Sequence, residues 1–308
     1  MKIAIFGAGA VGCYIGGMLA RRGTHDVVFI GRADHVEAIN VSGLALESIA
    51  LDLRVRARAS VDAAAAGDAD VVLVCVKATD TARAADALAD HVRPHAIVVS
   101  LQNGVEGAAE LSRRLGRGVV PSVVYVACEM VGPGHVKHHG RSELVVQEGY
   151  EGAVLERACQ GSGVTLVQSP DIRQAQWSKL ILNCAYNALS AVSRKAMGEM
   201  VPVPGLEDTM LDIIRECNAV ALAEGVKIEM DAERQLARIM TTIPRGQHAS
   251  MAHDLSLGRR TEIEQLNGVI VRRGASHGIP TPVNQALLLV VRLIEAPSAI
   301  PVLASPCS

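Results

Sequence analysis

The sequence predicts an α/β fold in two parts: an N-terminal parallel-sheet domain over residues 1–168, then an all-α domain over residues 169–308. Three observations predict it. Short apolar, β-branched runs alternate with alanine-rich amphipathic stretches through the first half. A glycine-rich turn, GAGAVG at 7–12, directly follows the first of those runs. After Pro170 the strand signals stop and long helical periods take over.

In chain order, the strands are expected at residues 2–6 (KIAIF), 27–30 (VVFI), 70–76 (DVVLVCV), 96–101 (AIVVSL) and 119–127 (VVPSVVYVA). Each is a short, mostly apolar, β-branched run, as suits a strand buried on both faces. Amphipathic segments such as 78–92 lie between them and would cover both faces of the sheet. Residues 43–57 read as extra β-structure in which LALES and LDLRVRA could pair, and 136–148 and 164–168 read as further strands. In the second half, helices are expected near 171–197, 204–225, 229–241, 262–277 and 281–296, and the tail from 296 is poor in helix signals.

Composition narrows the function. Hydrophobic residues make up 49% and charged residues 20%, enough apolar material for a sizeable core. A net charge of −2 gives no electrostatic case for nucleic acid or a membrane surface, and scarce aromatics argue against a base-stacking platform. The seven cysteines are odd in number, scattered, and contain no CxxC pair, which suits reduced thiols better than disulfides or a zinc site. The ten histidines do not cluster at metal-ligand spacing, and a HxxxH or HExxH pattern with acidic support is absent, so no metal is expected. The apolar runs are too short to span a bilayer, and the N-terminus runs straight into a strand with no leader pattern; the expectation is a soluble, cytoplasmic protein. The helical domain could bury a homodimer interface, but no exposed apolar stripe declares one.

A lone GxGxxG is a weak signal, because a chain rich in Gly and Ala produces it by chance. Between a strand and a helix it is the fingerprint of a Rossmann-type dinucleotide site. Gly7 would allow the tight turn, Gly9 the approach of a pyrophosphate, and Gly12 close helix–strand packing, while Ala10 and Val11 open the helix whose N–H groups face the phosphates. About 20 residues on, an NAD site places an acid against the ribose 2′-OH. Here the position falls on Gly31 and Arg32, with Asp34 nearby. An arginine suits a 2′-phosphate, so the cofactor is expected to be NADP; the bland alternative is a surface arginine in a loop. Lys77 in VKATDT and Asn103 in SLQNGVE end two further strands on the side where ligands of such sheets bind, although Asn-Gly is also an ordinary turn dipeptide.

In the helical half, QWSKLILNCAYNALSAV carries Lys179, Asn183 and Asn187 at steps of four. Each step moves about 40° round a helix, so the three share one narrow stripe on an otherwise apolar element. Burying them without partners is costly. The stripe either faces a ligand or is a lysine that snorkels to solvent. Further on, SMAHDLSLGRRTEIE places Thr261 and Glu264 as a capping box, with Glu262 in the first turn of a helix. Glu262 could be only a helix-start carboxylate, and Ser250 only a loop serine. Carbonyl reduction needs a hydride donor and a group that protonates the nascent alkoxide. Lys179 is the candidate acid, Glu262 a carboxylate that could orient it or hold a substrate hydroxyl, and Asn183 and Asn187 could hold a hydroxyl or carboxylate.

The order and spacing of six segments resemble the ketopantoate reductase (2-dehydropantoate 2-reductase) family nearly end to end. They are MKIAIFGAGAVGCYIGGMLA, VKATDT, LQNGVE, GPGHVKHHG, WSKLILNCAYNALSAV and SMAHDLSLGRRTEIEQLNGVIVRRGASHGIPTPVN. The resemblance implies NADPH on the first domain, a helical second domain, and substrate between them. It implies Lys179 as general acid, with Asn183, Asn187, Ser250 and Asn103 contacting substrate. It also brings in Glu262 from RxTEI, and Arg32 and Lys77 near the cofactor. The activity expected is reduction of 2-dehydropantoate to pantoate in pantothenate biosynthesis. The same parts could reduce another 2-keto acid or ketone. A non-catalytic NADP-binding sensor ranks lower, because such a protein would be expected to lose the lysine or its acidic partner.

Overall fold

A computed structural model describes residues 1–48 and 51–296, so the expectation for the tail beyond 296 lies outside the described residues. The chain forms two compact units, Met1–Leu180 and a second beginning at Ile181. That division falls inside the helix that follows the last strand.

The first unit runs β1 (Lys2–Phe6), α1 (Ala10–Ala20), β2 (Asp26–Ile30), α2 (Ala33–Ser42), β3 (Leu44–Glu47), β4 (Asp52–Val55), β5 (Arg58–Ser60), β6 (Val71–Val74), α3 (Thr81–Leu88), β7 (Ile97–Ser100), α4 (Gly107–Leu115), β8 (Val120–Gly132), β9 (His135–Gln147), α5 (Tyr150–Cys159) and β10 (Thr165–Ser169). Strands β5, β2, β1, β6, β7 and β8 lie side by side in that order, all parallel. The alternation of side chains explains their continuous apolar character. Ile3, Ile5, Phe29, Leu73 and Val99 meet Cys13, Ile15 and Leu19 of α1 on one face. Ala4, Val28, Val72, Val74 and Val98 meet Ala84, Ala85 and Leu88 of α3 and Leu111 of α4 on the other.

The sheet does not stay parallel. β8 returns directly as β9 in a long antiparallel hairpin, and β9 also pairs in parallel with β3 and β10. The turn Gly132-Pro133-Gly134, with Gly134 at φ +62°, lets the chain reverse without a helical crossover. β3 and β4 pair antiparallel, Leu44 opposite Val55, as the LALES and LDLRVRA patterns suggest.

The second unit continues α6 (Ile172–Ser193) into α7 (Met197–Met200), α8 (Leu206–Ala223), α9 (Ala232–Thr242), α10 (Ser250–Ser256), α11 (Asn267–Ser276) and α12 (Pro282–Glu295), with no strand among its described residues. α8 is its central element. Met210, Ile213, Ile214, Cys217, Val220 and Ala221 recur at helical spacing, all buried, and α8 touches α9, α11 and α12. Asp231 caps α9 by accepting from the Arg234 N–H at 2.8 Å.

The expected capping box at Thr261 does not form. Thr261 Oγ1 accepts from Ile263 N at 3.2 Å, one residue early. Glu264 turns instead to Arg292, 2.6 Å from its Nε and 2.9 Å from its Nη2. A bidentate ion pair outweighs one more capping bond. Residues 263–265 therefore form only a 3₁₀ turn, with Glu262 at its N-cap, and the α-helix begins at Asn267. The short helices α7 and α10 carry no sequence signal, being too brief to show a period.

Candidate functional site

The fingerprint turn is built as its glycines require. Gly7 donates to the Ile30 carbonyl at 2.8 Å and sits at φ +112°, where a Cβ would lie 2.7 Å from Val76 N. A Cβ on Gly12 would collide with the Gly7 carbonyl oxygen, and also approach Ile5 to 2.9 Å. Gly9 differs: a Cβ there would meet nothing within 4 Å. No protein packing needs a glycine at that position, whereas a ligand against the turn would. α1 starts at Ala10, and Cys13 N is the first to bond back, to Gly9 O at 2.8 Å. The N–H groups of Ala10, Val11 and Gly12 thus have no acceptor among the described residues, and no acidic side chain occupies the first turn. That is an anion-binding helix start.

Arg32 is the N-cap residue of α2, just past β2, with its side chain 74% exposed. Its Nη2 lies 3.0 Å from His35 Nε2 and its Nε 3.9 Å from Asp34 Oδ1. Lys77 follows β6 as the N-cap of a 3₁₀ turn, and Asn103 follows β7; both are half-buried. Gln102 ties these two loops together. Its Nε2 donates to Thr81 Oγ1 at 2.8 Å and to the carbonyls of Val76 and Lys77 at 3.3 and 3.4 Å. Its Oε1 accepts from Ser100 Oγ at 3.0 Å. In the sequence Gln102 is one residue of a loop; a polar side chain directly after an apolar strand is the signal that could have found it.

Lys179 lies in α6 and reaches back to the sheet. Its Nζ donates to Asn103 Oδ1 at 2.9 Å and to the Val124 carbonyl, and stands 5.6 Å from the centre of the Tyr125 ring. The structure therefore joins Lys179 and Asn103, which are 76 residues apart. One and two turns further along α6, Asn183 and Asn187 are only 7% and 6% exposed. Neither side chain makes a hydrogen bond among the described residues. Buried amides without protein partners are rare unless something else satisfies them. Ser250 is the first residue of α10 and is exposed; Glu262 is half-buried at the start of its 3₁₀ turn. Tyr125 has no sequence signal, because only the hairpin's register brings it to Lys179.

Thiol chemistry does not belong here. Cys13 and Cys128 are pushed up to about 12 by burial, and Cys75, behind the glycine turn, is raised further still by the same cause. Among the described residues, no group of three or more His, Cys, Asp or Glu is placed to hold a metal ion, and no helix is long and apolar enough to cross a membrane. What the first unit offers is a helix start with free N–H groups and an ammonium group held by two oxygen acceptors.

Residues 3–151 match the family model for ketopantoate reductase PanE/ApbA, and residues 171–295 match the model for its C-terminal region. A curated relative from Halobacterium salinarum, named 2-dehydropantoate 2-reductase, is 32% identical over 306 residues, covering 96% of this chain and 99% of its own. The crystal structure of a PanE/ApbA family ketopantoate reductase from Ralstonia eutropha JMP134 superposes with a TM-score of 0.91 at 52% identity, covering 96% of this chain and 98% of that one. A D-mandelate dehydrogenase solved with NADH and anilino(oxo)acetate superposes with a TM-score of 0.88 at 25% identity, covering 96% and 98%. The chain thus belongs to the ketopantoate reductase PanE/ApbA family, a family of oxidoreductases acting at a ketone/CH–OH centre.

Proposed function

We propose that this protein reduces 2-dehydropantoate to pantoate with NADPH, a step of pantothenate biosynthesis, with Lys179 as the general acid. The observation that carries the reading is the row on α6: an ammonium held by Asn103 Oδ1 and the Val124 carbonyl, followed by two buried amides with no protein partner. Residues 1–168 are assigned to the nucleotide and 169–308 to substrate and catalysis, in a cytoplasmic enzyme.

A bound NADPH would supply the hydride. The N–H groups of Ala10, Val11 and Gly12, with Gly7 and Gly9 leaving room, hold its pyrophosphate; the open space at Gly9 fits that use. Arg32 receives the 2′-phosphate, and Lys77 and Asn103 line the rest of the nucleotide path. Lys179 polarises the ketone and gives a proton to its oxygen as negative charge develops there. Asn103 fixes the direction of that ammonium. Glu262 holds the lysine charged or binds a substrate hydroxyl, and Asn183, Asn187 and Ser250 hold the substrate's remaining polar groups.

A second reading has one specific support. The mandelate dehydrogenase likeness associates this fold with NADH and a different 2-oxo acid. One assay separates the two: loss of NADPH or NADH absorbance with ketopantoate beside a panel of 2-keto acids. Turnover confined to ketopantoate and NADPH supports the first reading; preference for another keto acid moves the substrate, and no turnover with tight nucleotide binding favours a sensor. Arg32→Ala tests the cofactor assignment, raising KM for NADPH more than for NADH by on the order of tenfold or more, as loss of a charge-assisted phosphate contact should.

A further inference from the structure

The β8–β9 hairpin slips register beside Tyr125. Val126 pairs with Ser142, but Ala127 pairs with Gly140, so Arg141 has no residue opposite it. It is the extra residue of a bulge, a device that re-aims one side chain. Arg141 is also at φ +54°, one of two non-glycine residues at positive φ among the described residues. An arginine gains nothing locally from that conformation, and such strain persists only where the surroundings hold it. They do so here. The His138 Nε2–H donates to the Arg141 carbonyl at 2.8 Å, and the His138 ring stacks on Tyr14 of α1, centroids 4.1 Å apart and 10° from parallel.

The bulge lays the Arg141 guanidinium 4.2 Å from the centre of the Tyr125 ring, the same ring that lies near Lys179 Nζ. Many other arginines answer a carboxylate: Arg58 with Asp26, Arg114 with Asp86, Arg215 with Glu233, Arg292 with Glu264. The Arg141 side chain has no hydrogen bond and no ion pair among the described residues, and it is exposed. A guanidinium held over an aromatic ring still has N–H groups to offer a planar anion.

We propose that Arg141 is a substrate-specificity residue, the receptor for the carboxylate of a 2-keto acid whose adjacent carbonyl is presented to Lys179. This rests on the reading of the protein as a keto-acid reductase. Carboxylate and ketone occupy neighbouring carbons of such a substrate, so a carboxylate receptor has to stand beside the proton donor. Both cations lie within 6 Å of the Tyr125 ring centre, which puts them within 10 Å of each other. The arrangement selects 2-keto acids over neutral ketones, and leaves Asn183 and Asn187 for the substrate's other polar groups.

The test compares the wild type with Arg141→Met, which keeps an apolar chain on Tyr125, and Arg141→Lys, which keeps the charge. Each is assayed on the preferred 2-keto acid and on its methyl ester. For Arg141→Met we expect KM for the acid to rise on the order of 10- to 100-fold with kcat changed little, and KM for the ester to stay put. Arg141→Lys should recover part of the loss. An equal effect on acid and ester, or no effect on the acid, overturns the assignment. A second readout does not need turnover: calorimetric binding of oxamate, an unreactive keto-acid mimic, to the NADP-loaded protein. Weakened oxamate binding in Arg141→Met supports the carboxylate receptor even if no keto acid is reduced, an outcome that would sink only the proposed reaction. Undiminished oxamate binding overturns it. Thermal unfolding of each variant confirms that folded protein is compared.

Discussion

Two pairs of buried asparagines in the helical half have opposite surroundings. Asn267 and Asn284 are fully buried and bonded into the protein, with Asn267 Oδ1 the one side-chain atom of the two left without a partner among the described residues. Asn267 Nδ2 donates to Asn284 Oδ1 at 2.9 Å and to the Cys184 carbonyl at 3.3 Å, and Asn284 Nδ2 donates to Glu216 at 2.7 Å. Glu216 also accepts the N–H groups of Val283 and Asn284, at 2.8 and 3.0 Å, so it caps α12 from another helix. Asn183 and Asn187 are nearly as buried and have no such bonds. The difference separates two uses of one residue type. The first pair is consumed by the fold; the second is left over for something the protein alone does not contain. Gly12 and Gly9 repeat the contrast within one turn: the backbone needs the first, and only a ligand would need the second.

The sharpest test of the leftover class is Lys179→Ala. A lost general acid should lower kcat roughly 10²- to 10⁴-fold while the protein stays folded. Stopped-flow single-turnover kinetics beside a circular dichroism melt would show it, and retained activity would put Lys179 with the structural residues. The glycines come next. Gly12→Ala should cost roughly 3 kcal/mol or prevent folding, since the new methyl meets a backbone carbonyl. Gly9→Ala should leave the unfolding midpoint within about 0.5 kcal/mol yet weaken nucleotide binding about tenfold. If both melt alike, the contrast at the turn is false.

For the asparagines, Asn284→Ala should lose about 2 kcal/mol in urea unfolding, because it strands donors and an acceptor in the interior. Asn183→Ala should change stability by less than about 1 kcal/mol and instead raise substrate KM. The smallest effect concerns a charge the fold uses at its edge. The Arg292 guanidinium holds the Glu264 carboxyl below the usual carboxylate range, against an opposing push from partial burial. Its pKa is lowered on folding, so its contribution is complete above the ordinary carboxylate value and is lost as pH falls through the depressed one. The two side chains are 30% and 51% exposed, so screening keeps the pair under about 1 kcal/mol. Glu264→Gln should narrow the gap between melting temperatures at neutral and acid pH, and an unchanged gap would show that the pair contributes nothing.

Much of this is legible in the amino-acid sequence itself. The central parallel strands announce themselves because burial on both faces leaves few polar positions, and GAGAVG stands where a strand hands over to a helix. The Lys179, Asn183, Asn187 row follows from helical arithmetic alone. Features that depend on distant partners are not legible in this way. Thr261 and Glu264 have the spacing of a capping box, yet Arg292, 28 residues away, takes the glutamate. Tyr125 and Arg141 come together through a register slip in a hairpin, and no local pattern encodes a slip. Gln102 shows what it fastens only once the loop after β6 is folded against it.

The passage of α6 through the Leu180/Ile181 division has a consequence for anyone recombining this protein with a relative. A chimera spliced at the end of the last strand, near Ser169, would bring a foreign lysine to the native Asn103 and Val124. A splice between Leu180 and Ile181 would keep the lysine with its anchors but inherit both asparagines from the other parent. Within the helix only a crossover after Asn187 leaves all of these partners of common descent, so the ammonium and the amides are best exchanged together with the loop after β7 or left alone.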